Sequence, residues 1–515
     1  MPLPKYTSTA VGIPDINFNG GLNTTGGPLS LKENESPDLQ NVDFSKFGSV
    51  IKRNGYTTLN SSAIASSPEG DGLHWYEFDS SGTLTRFAVS VADGKLFKMD
   101  ALDGTWDDVT GALTITATNH CYFENFLNEV YITNNLDVPF KWTGAGNGAT
   151  MTVPTGLTRA KWVVQFNNYL FLGNVAVSGT RHGSRIYWSN FKDTGTWSAT
   201  DFIEVAKDDG QEITGMRVLS DRLVIYKSRS TYNLLFTGDA DIPFILPNGG
   251  KSNSAVGCAS GYSIQDVNNG HVFLSQDGFY FYDGFNSFKI SDKINDTILG
   301  FVDTRFDKAV SLNQLSKNRY WCSLTSAGQA ENDRILVWDY FNNAWSIYTG
   351  ISAAALATFF VNGTEERPYF MDYSGFAYRA DSGTSDHPDG TATDTAISAY
   401  YYTNWRAFGD LVNQKGVPMV YIYFQNSNTT LTYAYSYNFE NTDTFTQTFS
   451  LATSTDVYGT GVYGTATYAG TGGDVKRRNL TGRGRVVRMK FENNVVDETF
   501  QIDGLGTQAH LETNT

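Results

Sequence analysis

The feature that most constrains this chain is a loose internal repeat. From about residue 73 a polar doublet introduces a strongly apolar strand, and a second strand follows after a turn. The doublets are Thr85-Arg86 before FAVSV, Asn128-Glu129 before VYIT, Asn168-Tyr169 before LFLGN, Asp221-Arg222 before LVIY, Gly270-His271 before VFLSQ, Asn318-Arg319 before YWCSL and Arg367-Pro368 before YFMD. They recur about 40 to 53 residues apart, the spacing of four-stranded propeller blades. A unit of that size leaves two apolar faces that only its neighbours can cover, so the repeats must stack on one another. Seven openings predict six or seven blades.

The following strands repeat too: GKLFKMD from 94, VPFKWTG from 138, SRIYWSN from 184, DGFYFYDG from 277, DRILVWDY from 333 and SGFAYRAD from 374. Several lead into an aromatic residue on the next turn, Trp106, Trp197, Phe288 or Trp345, which reads as packing between blades. Composition agrees, with 14% aromatic residues, 50 Gly and only 18% charged residues favouring short strands and tight turns over long helices.

Three segments result. Residues 1 to 60 show no sustained periodicity, because Gly20-Gly21, Gly26-Gly27-Pro28 and Ser36-Pro37 interrupt every element; they read as an extended N-terminal arm. Its apolar anchors, Ile16, Phe18, Leu22, Leu29, Leu31, Leu39, Val42 and Phe44, suit packing along a surface. Residues 61 to 390 hold the repeat, and the Gly, Thr, Ser and Asp stretch from Asp381 to Thr395 reads as a linker. Residues 391 to 515 contain VPMVYIYF, TLTYAYSY, TFTQTFSL, VVRMKF and ETFQIDG, five alternating segments that predict a C-terminal β-sandwich. The expected fold is mainly β, a six- or seven-bladed β-propeller between an arm and a sandwich.

The chemistry-bearing residues are scattered. The six His, at 74, 120, 182, 271, 387 and 510, never fall within ten residues of one another, and no CxxC, HExxH or GxSxG occurs. Thr143 to Gly148 imitates a phosphate loop but lacks its Lys, and reads as a hairpin turn. Asp193-Thr-Gly-Thr-Trp197 resembles a sialidase Asp-box turn, one residue short, and an Asp-box stabilises a turn before it implies catalysis. No catalytic residue, cofactor or metal site is expected. Cys121, Cys258 and Cys322 are odd in number and far apart, which predicts buried thiols in a reducing cytoplasm and no disulfide framework. No apolar run approaches the roughly 20 residues a membrane helix needs, so membrane insertion is not expected.

Charge is unevenly distributed. Residues 1 to 60 hold five acids and five bases and residues from 391 on hold eleven and nine, so nearly all of the net −15 belongs to the middle. Such a surface disfavours sequence-specific reading of nucleic acid. One basic cluster stands against it: Lys476, Arg477, Arg478, Arg483, Arg485, Arg488 and Lys490. Alternation in RVVRMKF places Arg485, Val487 and Met489 on one face of a strand and Val486, Arg488 and Lys490 on the other. The cluster reads as a solvated strand edge or as a contact with DNA or an acidic subunit. Between the two contacts a subunit is favoured, because six phosphate contacts would hold DNA too strongly for a conduit.

Two segments resemble the tail nozzle (tail tubular protein B) and packaged-DNA stabilisation proteins of short-tailed bacteriophages. One is FNGGLNTTGGPLSLKENESPDLQNVDFSKFGSVIKRNGY, closing on Lys52, Arg53, Asn54, Gly55 and Tyr56, with Asn54 where that family carries Pro; the other is Gly482 to Phe491 with Phe500 to Gly504. The resemblance implies a structural, non-enzymatic virion protein assembled in the host cytoplasm, six copies forming a tail nozzle ring that continues the DNA channel below portal and adaptor and conducts the genome during ejection. Its partners would be other copies of itself, portal, adaptor and tail fibre proteins, and genomic DNA passing without sequence-specific contact. Phe18, Leu22, Leu29, Leu31, Lys52, Arg53 and Tyr56 would then serve an assembly arm reaching a neighbouring subunit, separable from the folded propeller. A trimeric receptor-binding or depolymerase tail protein and a sialidase-like glycosidase are the alternatives.

Overall fold

The structure is a computed structural model that describes residues 11–512 except 16, 65, 67, 389–392, 426–428 and 452–473. Strands dominate it, and the one α-helix among the described residues is the four-residue Asn295–Ile298. Seven four-stranded antiparallel sheets follow one another from Gly70 to Ala380, forming a β-propeller. In the first six the strands run in chain order, as in the third sheet with Leu157–Phe166, Tyr169–Val177, Thr180–Trp188 and Phe202–Glu204.

Five of the seven polar doublets stand at the hairpin between first and second strands, while Thr85-Arg86 and Arg367-Pro368 lie inside Thr83–Ala92 and Glu365–Met371. Leu127-Asn128, Asn167-Asn168 and Asn268-Asn269 take positive φ at both residues. That is the mirror-image turn whose twist matches flanking strands, and Asn tolerates it because its short polar side chain bonds locally. Thr143 to Gly148 is a longer hairpin loop, with positive φ at Gly144 and Gly146, joining Phe140–Trp142 to Ala149–Thr150. In the Asp193 loop Gly195 N donates to the Asp193 carboxylate at 2.8 Å and the Trp197 indole donates to Thr194 O at 3.0 Å, which makes it a self-bonded turn.

Each pair of adjacent sheets shares one apolar cluster. Trp162 and Phe171 of the third sheet meet Met216 and Ile225 of the fourth. Trp321 and Tyr348 of the sixth meet Phe370 and Tyr378 of the seventh. Between the seventh and the first, Trp75 stacks on Phe359 with centroids 4.8 Å apart. Most of these rings stand on strands, where both faces need cover. Of the four turn aromatics, Trp345 is buried, Trp106 and Trp197 are partly buried in such clusters, and Phe288 is 53% exposed on an outer strand and packs between no blades. Cys121, Cys258 and Cys322 are free and buried.

The seventh sheet draws only three strands from the repeat, Ala355–Val361, Glu365–Met371 and Ala377–Ala380. Its fourth is Tyr56–Thr58, with Tyr56 opposite Ala380 and Thr58 opposite Tyr378. The N-terminal segment is therefore built into the fold. It also supplies Val11–Asp15, Val42–Phe44 and Val50–Lys52 to one sheet of the sandwich and Leu39–Gln40 to the other. The expectation of an arm separable from the folded propeller is corrected accordingly, because removing residues 1 to 60 removes strands from both bodies. The sandwich is not made by residues 391 to 515 alone. Nor is the stretch from Asp381 a free linker, since Asp386 is buried and bridges to Tyr56 and Thr395.

Gly55 sits where the chain passes from sandwich to propeller, and a Cβ there would lie 1.8 Å from Ser385 O. Gly55→Ala should therefore destabilise the protein by about 2–4 kcal/mol, because backbone on both sides has to shift. Chemical denaturation of the two proteins measures this, and a loss below about 0.5 kcal/mol would mean that the crossing relaxes freely.

Candidate functional site

The residues singled out in the arm converge on the junction between the two bodies. Lys52 is buried in the sandwich, its Nζ donating to Asn493 Oδ1 at 2.7 Å and to Val495 O at 3.3 Å. Burial, with Arg53 next to it, pushes its pKa down to about 8. Arg53 faces the other way. Its Nη1 and Nη2 donate to the two carboxylate oxygens of Asp386 at 2.9 and 2.7 Å, its Nε to Asn41 Oδ1 at 2.9 Å, and Nη2 also to Thr349 O at 2.9 Å. This two-pronged geometry is what a planar guanidinium offers and an ammonium does not. Tyr56 enters the propeller core edge-on to Phe370 and Tyr378, centroids 5.2 and 5.1 Å away. Successive residues of one motif thus grip the sandwich, the junction and the propeller.

A second buried pair stands beside the first. Arg319 Nη1 donates to Asp43 Oδ2 at 2.9 Å, and the Tyr348 hydroxyl donates to the same carboxylate. Phe18, Leu22 and Leu31 are buried, Phe18 edge-on to Tyr401 at 5.5 Å, while Leu29 is 49% exposed and anchors nothing within the chain. Ile16 lies outside the described residues.

The basic cluster divides between the two sheets of the sandwich. Lys476, Arg477 and Arg478 lie on Asp474–Asn479, the edge strand of one sheet. Arg488 and Lys490 lie on Val487–Asn493, an interior strand of the other. Arg488 sits over the rings of Tyr402 and Trp405 at 4.4 and 4.7 Å, and Lys490 pairs with Glu492 at 2.7 Å and Asp443 at 3.5 Å. Arg478 covers Phe449 at 4.0 Å. Arg485, exposed, donates through Nε to Val412 O at 3.2 Å, and Arg477 and Arg483 are exposed. The alternation read across RVVRMKF holds only from Val487: Val486 and Val487 are both buried and Arg485 is exposed, because the strand begins at Val487.

The propeller channel was not read from the sequence. It encloses about 860 Å³ and is lined from the first strand of every sheet. Arg217 is matched by Asp266, with Nε and Nη2 at 2.9 and 2.7 Å from Oδ2. Asp266 Oδ1 lies 3.1 Å from His271 Nε2, and His271 Nδ1 meets the Tyr226 hydroxyl at 2.9 Å. His271 Nε2 also lies 3.1 Å from Val218 O, so that nitrogen faces two acceptors. His74 is stacked on Phe123 and bonded to Asn125, and burial pushes its pKa down to about 4, as it does for His120. Burial pushes the Glu124 carboxyl up to about 8 and, with Glu69 beside it, the Asp71 carboxyl up to about 7. Among the described residues no group of three or more His, Cys, Asp or Glu could hold a metal ion.

Two expectations follow. Removing one partner of the buried pair, as in Arg53→Met, should cost about 3–5 kcal/mol, and the double change Arg53→Met with Asp386→Leu should cost less, because no lone charge is left buried. Urea denaturation of both proteins measures the difference, and equal losses would mean that the remaining charge reaches water. The raised carboxyls set a pH slope. Between about pH 4.5 and 8 the folded form of Glu124 holds a proton that the unfolded chain has lost, so stability falls as pH rises across that window. Melting temperatures should decline from about pH 6.5 to 8, above the range in which His74 and His120 oppose the effect by taking up protons only on unfolding, and Glu124→Gln should flatten the decline.

No family model matches the chain, and no curated protein sequence matches it. Among solved structures it is similar to BamB from Moraxella catarrhalis, with a TM-score of 0.37 and 14% identity over 72% of this chain and 97% of that one. It is similar to YCF48 bound to D1 peptide, with a TM-score of 0.40 and 11% identity over 66% of this chain and 97% of that one. It is also similar to the computationally designed Ika8 protein, with a TM-score of 0.36 and 13% identity over 63% of this chain and 99% of that one.

Proposed function

We propose that this chain is a structural subunit of a short-tailed phage virion, one of six copies in a nozzle ring that continues the DNA channel, and that it catalyses no reaction. The observation that carries this reading is the meeting of the two segments on which the resemblance rests. Ile51 pairs with Gln501 and Val50 with Ile502, and Lys52 bonds Asn493, so segments some four hundred residues apart form one piece of the sandwich. Residues that a catalytic or ligand-binding role would not require are thereby accounted for: they fix a sandwich rigidly to a propeller. Rigidity of that kind suits a subunit that must hold a conduit open while a genome passes.

The acidity fits the same role. Six copies at −15 carry roughly −90, and an acidic lumen lets a polyanion slide without adhering. Within the basic cluster, Lys490 is neutralised inside the chain, Arg488 is spread over two rings and Arg478 over one, while the exposed Arg477 and Arg485 would meet a neighbouring acidic subunit. Portal, adaptor and tail fibre proteins would be the further partners.

Electron cryomicroscopy of the particle that carries this protein, with wild-type chain and with Arg477 and Arg485 changed to Gln, tests the reading. Six-fold density at the distal tail, lost or made salt-sensitive in the variant, is expected. Absence from the particle or three-fold density would overturn the function, and intact rings with altered DNA retention would overturn the subunit role of the arginines.

A further inference from the structure

Asp71 is 1% exposed yet lines the propeller channel. Its Oδ2 accepts a hydrogen bond from Thr118 N at 3.1 Å, and its Oδ1 has no hydrogen-bond partner among the described residues. A buried carboxylate oxygen left unmet is costly, and such a group in a native fold marks a place where a donor is expected. The charged groups facing it are Glu69, Asp93 and Lys308, so acids outnumber the single base. His120, in the same wall, is held neutral by burial.

Glu124 lines the same channel on the neighbouring sheet and forms no ion pair within 4 Å among the described residues. The charged groups that face it are Arg217 and Asp266, already bonded to each other. His74 is neutral, so it adds no positive charge there. The depth of the two carboxyls can be read from strand pairing. Cys121 N donates to Asp71 O at 2.8 Å, which sets Asp71 level with Cys121. Glu124 lies three residues further along that segment, roughly 10 Å at about 3.3 Å per residue. The channel lining includes the rings of Trp75, Tyr122, Phe123 and Tyr262.

We propose that the channel binds a linear aliphatic diamine, with one ammonium on Asp71, the other on Glu124 and the polymethylene chain along these rings. A metal ion does not fit this arrangement, since no three ligands converge among the described residues. An organic dication does, because each ammonium would donate to a carboxyl that no cation pairs with among the described residues, Asp71 through its unmet Oδ1 and Glu124 beside its bond from Gln165 N. A volume of about 860 Å³ has room for such a chain.

The test is isothermal titration calorimetry of the full chain with the diamine series from diaminobutane to diaminooctane, and with aminohexane as the single-ammonium control. Affinity should peak within the series, and aminohexane should bind about tenfold more weakly or worse, a loss of about 1.4 kcal/mol. Asp71→Asn and Glu124→Gln, each checked for an unchanged circular dichroism spectrum, should each weaken the best diamine about tenfold. Binding near pH 7 should release protons, because carboxyls raised to about 7 and 8 ionise when an ammonium arrives. In case a variant fails to fold, quenching or enhancement of tryptophan fluorescence in the wild-type protein provides the same length dependence. No binding at millimolar diamine, affinity independent of chain length, or affinity untouched by both substitutions would overturn the proposal, the last two being the signature of adsorption to an acidic surface.

Discussion

The structure depends on closing a ring of sheets with three residues. Each sheet has two apolar faces and only its neighbours to cover them, so an open array would leave Trp75 and Phe359 facing water at its two ends. Their stacking requires the seventh sheet to lie against the first. The seventh sheet is complete only with Tyr56–Thr58, which comes from before the repeat begins. Closure is thus a long-range event between position 56 and position 380, and the residues just before Tyr56 are arranged to hold it. Arg53 reaches Asp386 and Thr349, and Gly55 allows the backbone to pass against Ser385.

That arrangement explains what could and could not be read from the sequence. The repeat was legible because its turns carry the chemistry of positive φ: Asn128, Asn168, Asn269 and Asn318 all adopt it, and each stands at or beside a doublet of the repeat. The strands after those turns are buried on both faces and therefore appear as apolar runs, which is what made them visible. Tyr56–Thr58 was not legible. A strand of three residues between Gly55 and Asn60 has no period to detect, and the same holds for Leu39–Gln40 and Val42–Phe44, so an interwoven segment looks like a loose arm. The resemblance assigned Lys52, Arg53 and Tyr56 to an arm that reaches a neighbouring subunit, whereas the contacts they make here join sandwich and propeller within one chain.

The channel stayed hidden for a different reason. Alternation divides a strand into two faces, but both faces of a propeller sheet pack against neighbours, and the channel is reached only from the edge of the first strand. Nothing in the local pattern around Asp71 or Glu124 distinguishes an edge that looks into a cavity from one that is covered. The error across RVVRMKF is of a related kind. Arg406 N bonds Val487 O at 2.9 Å just where the strand starts, so the residue before it follows a different path and Val486 is buried against the expected phase. Periodicity is reliable within a strand and silent about where the strand begins.

Ring closure and sandwich assembly together impose an order on folding. The first six sheets are meanders of chain neighbours, whose contacts are local and form without waiting for the rest of the chain. The seventh cannot be completed until Ala377–Ala380 exists to receive Tyr56–Thr58. The sandwich waits longer still, because Val11–Asp15 and Val50–Lys52 pair with Gln501–Glu512, the last strand among the described residues. Until then the segment that carries Lys52 and Arg53 has no buried environment, and two cations that end up almost fully enclosed remain in water. Desolvating them only when Asn493 and Asp386 are both in place avoids a partly folded state with an unmatched buried charge, so junction, propeller and sandwich become one cooperative unit. The junction residues therefore reach their final environment only when segments from both ends of the described fold have paired.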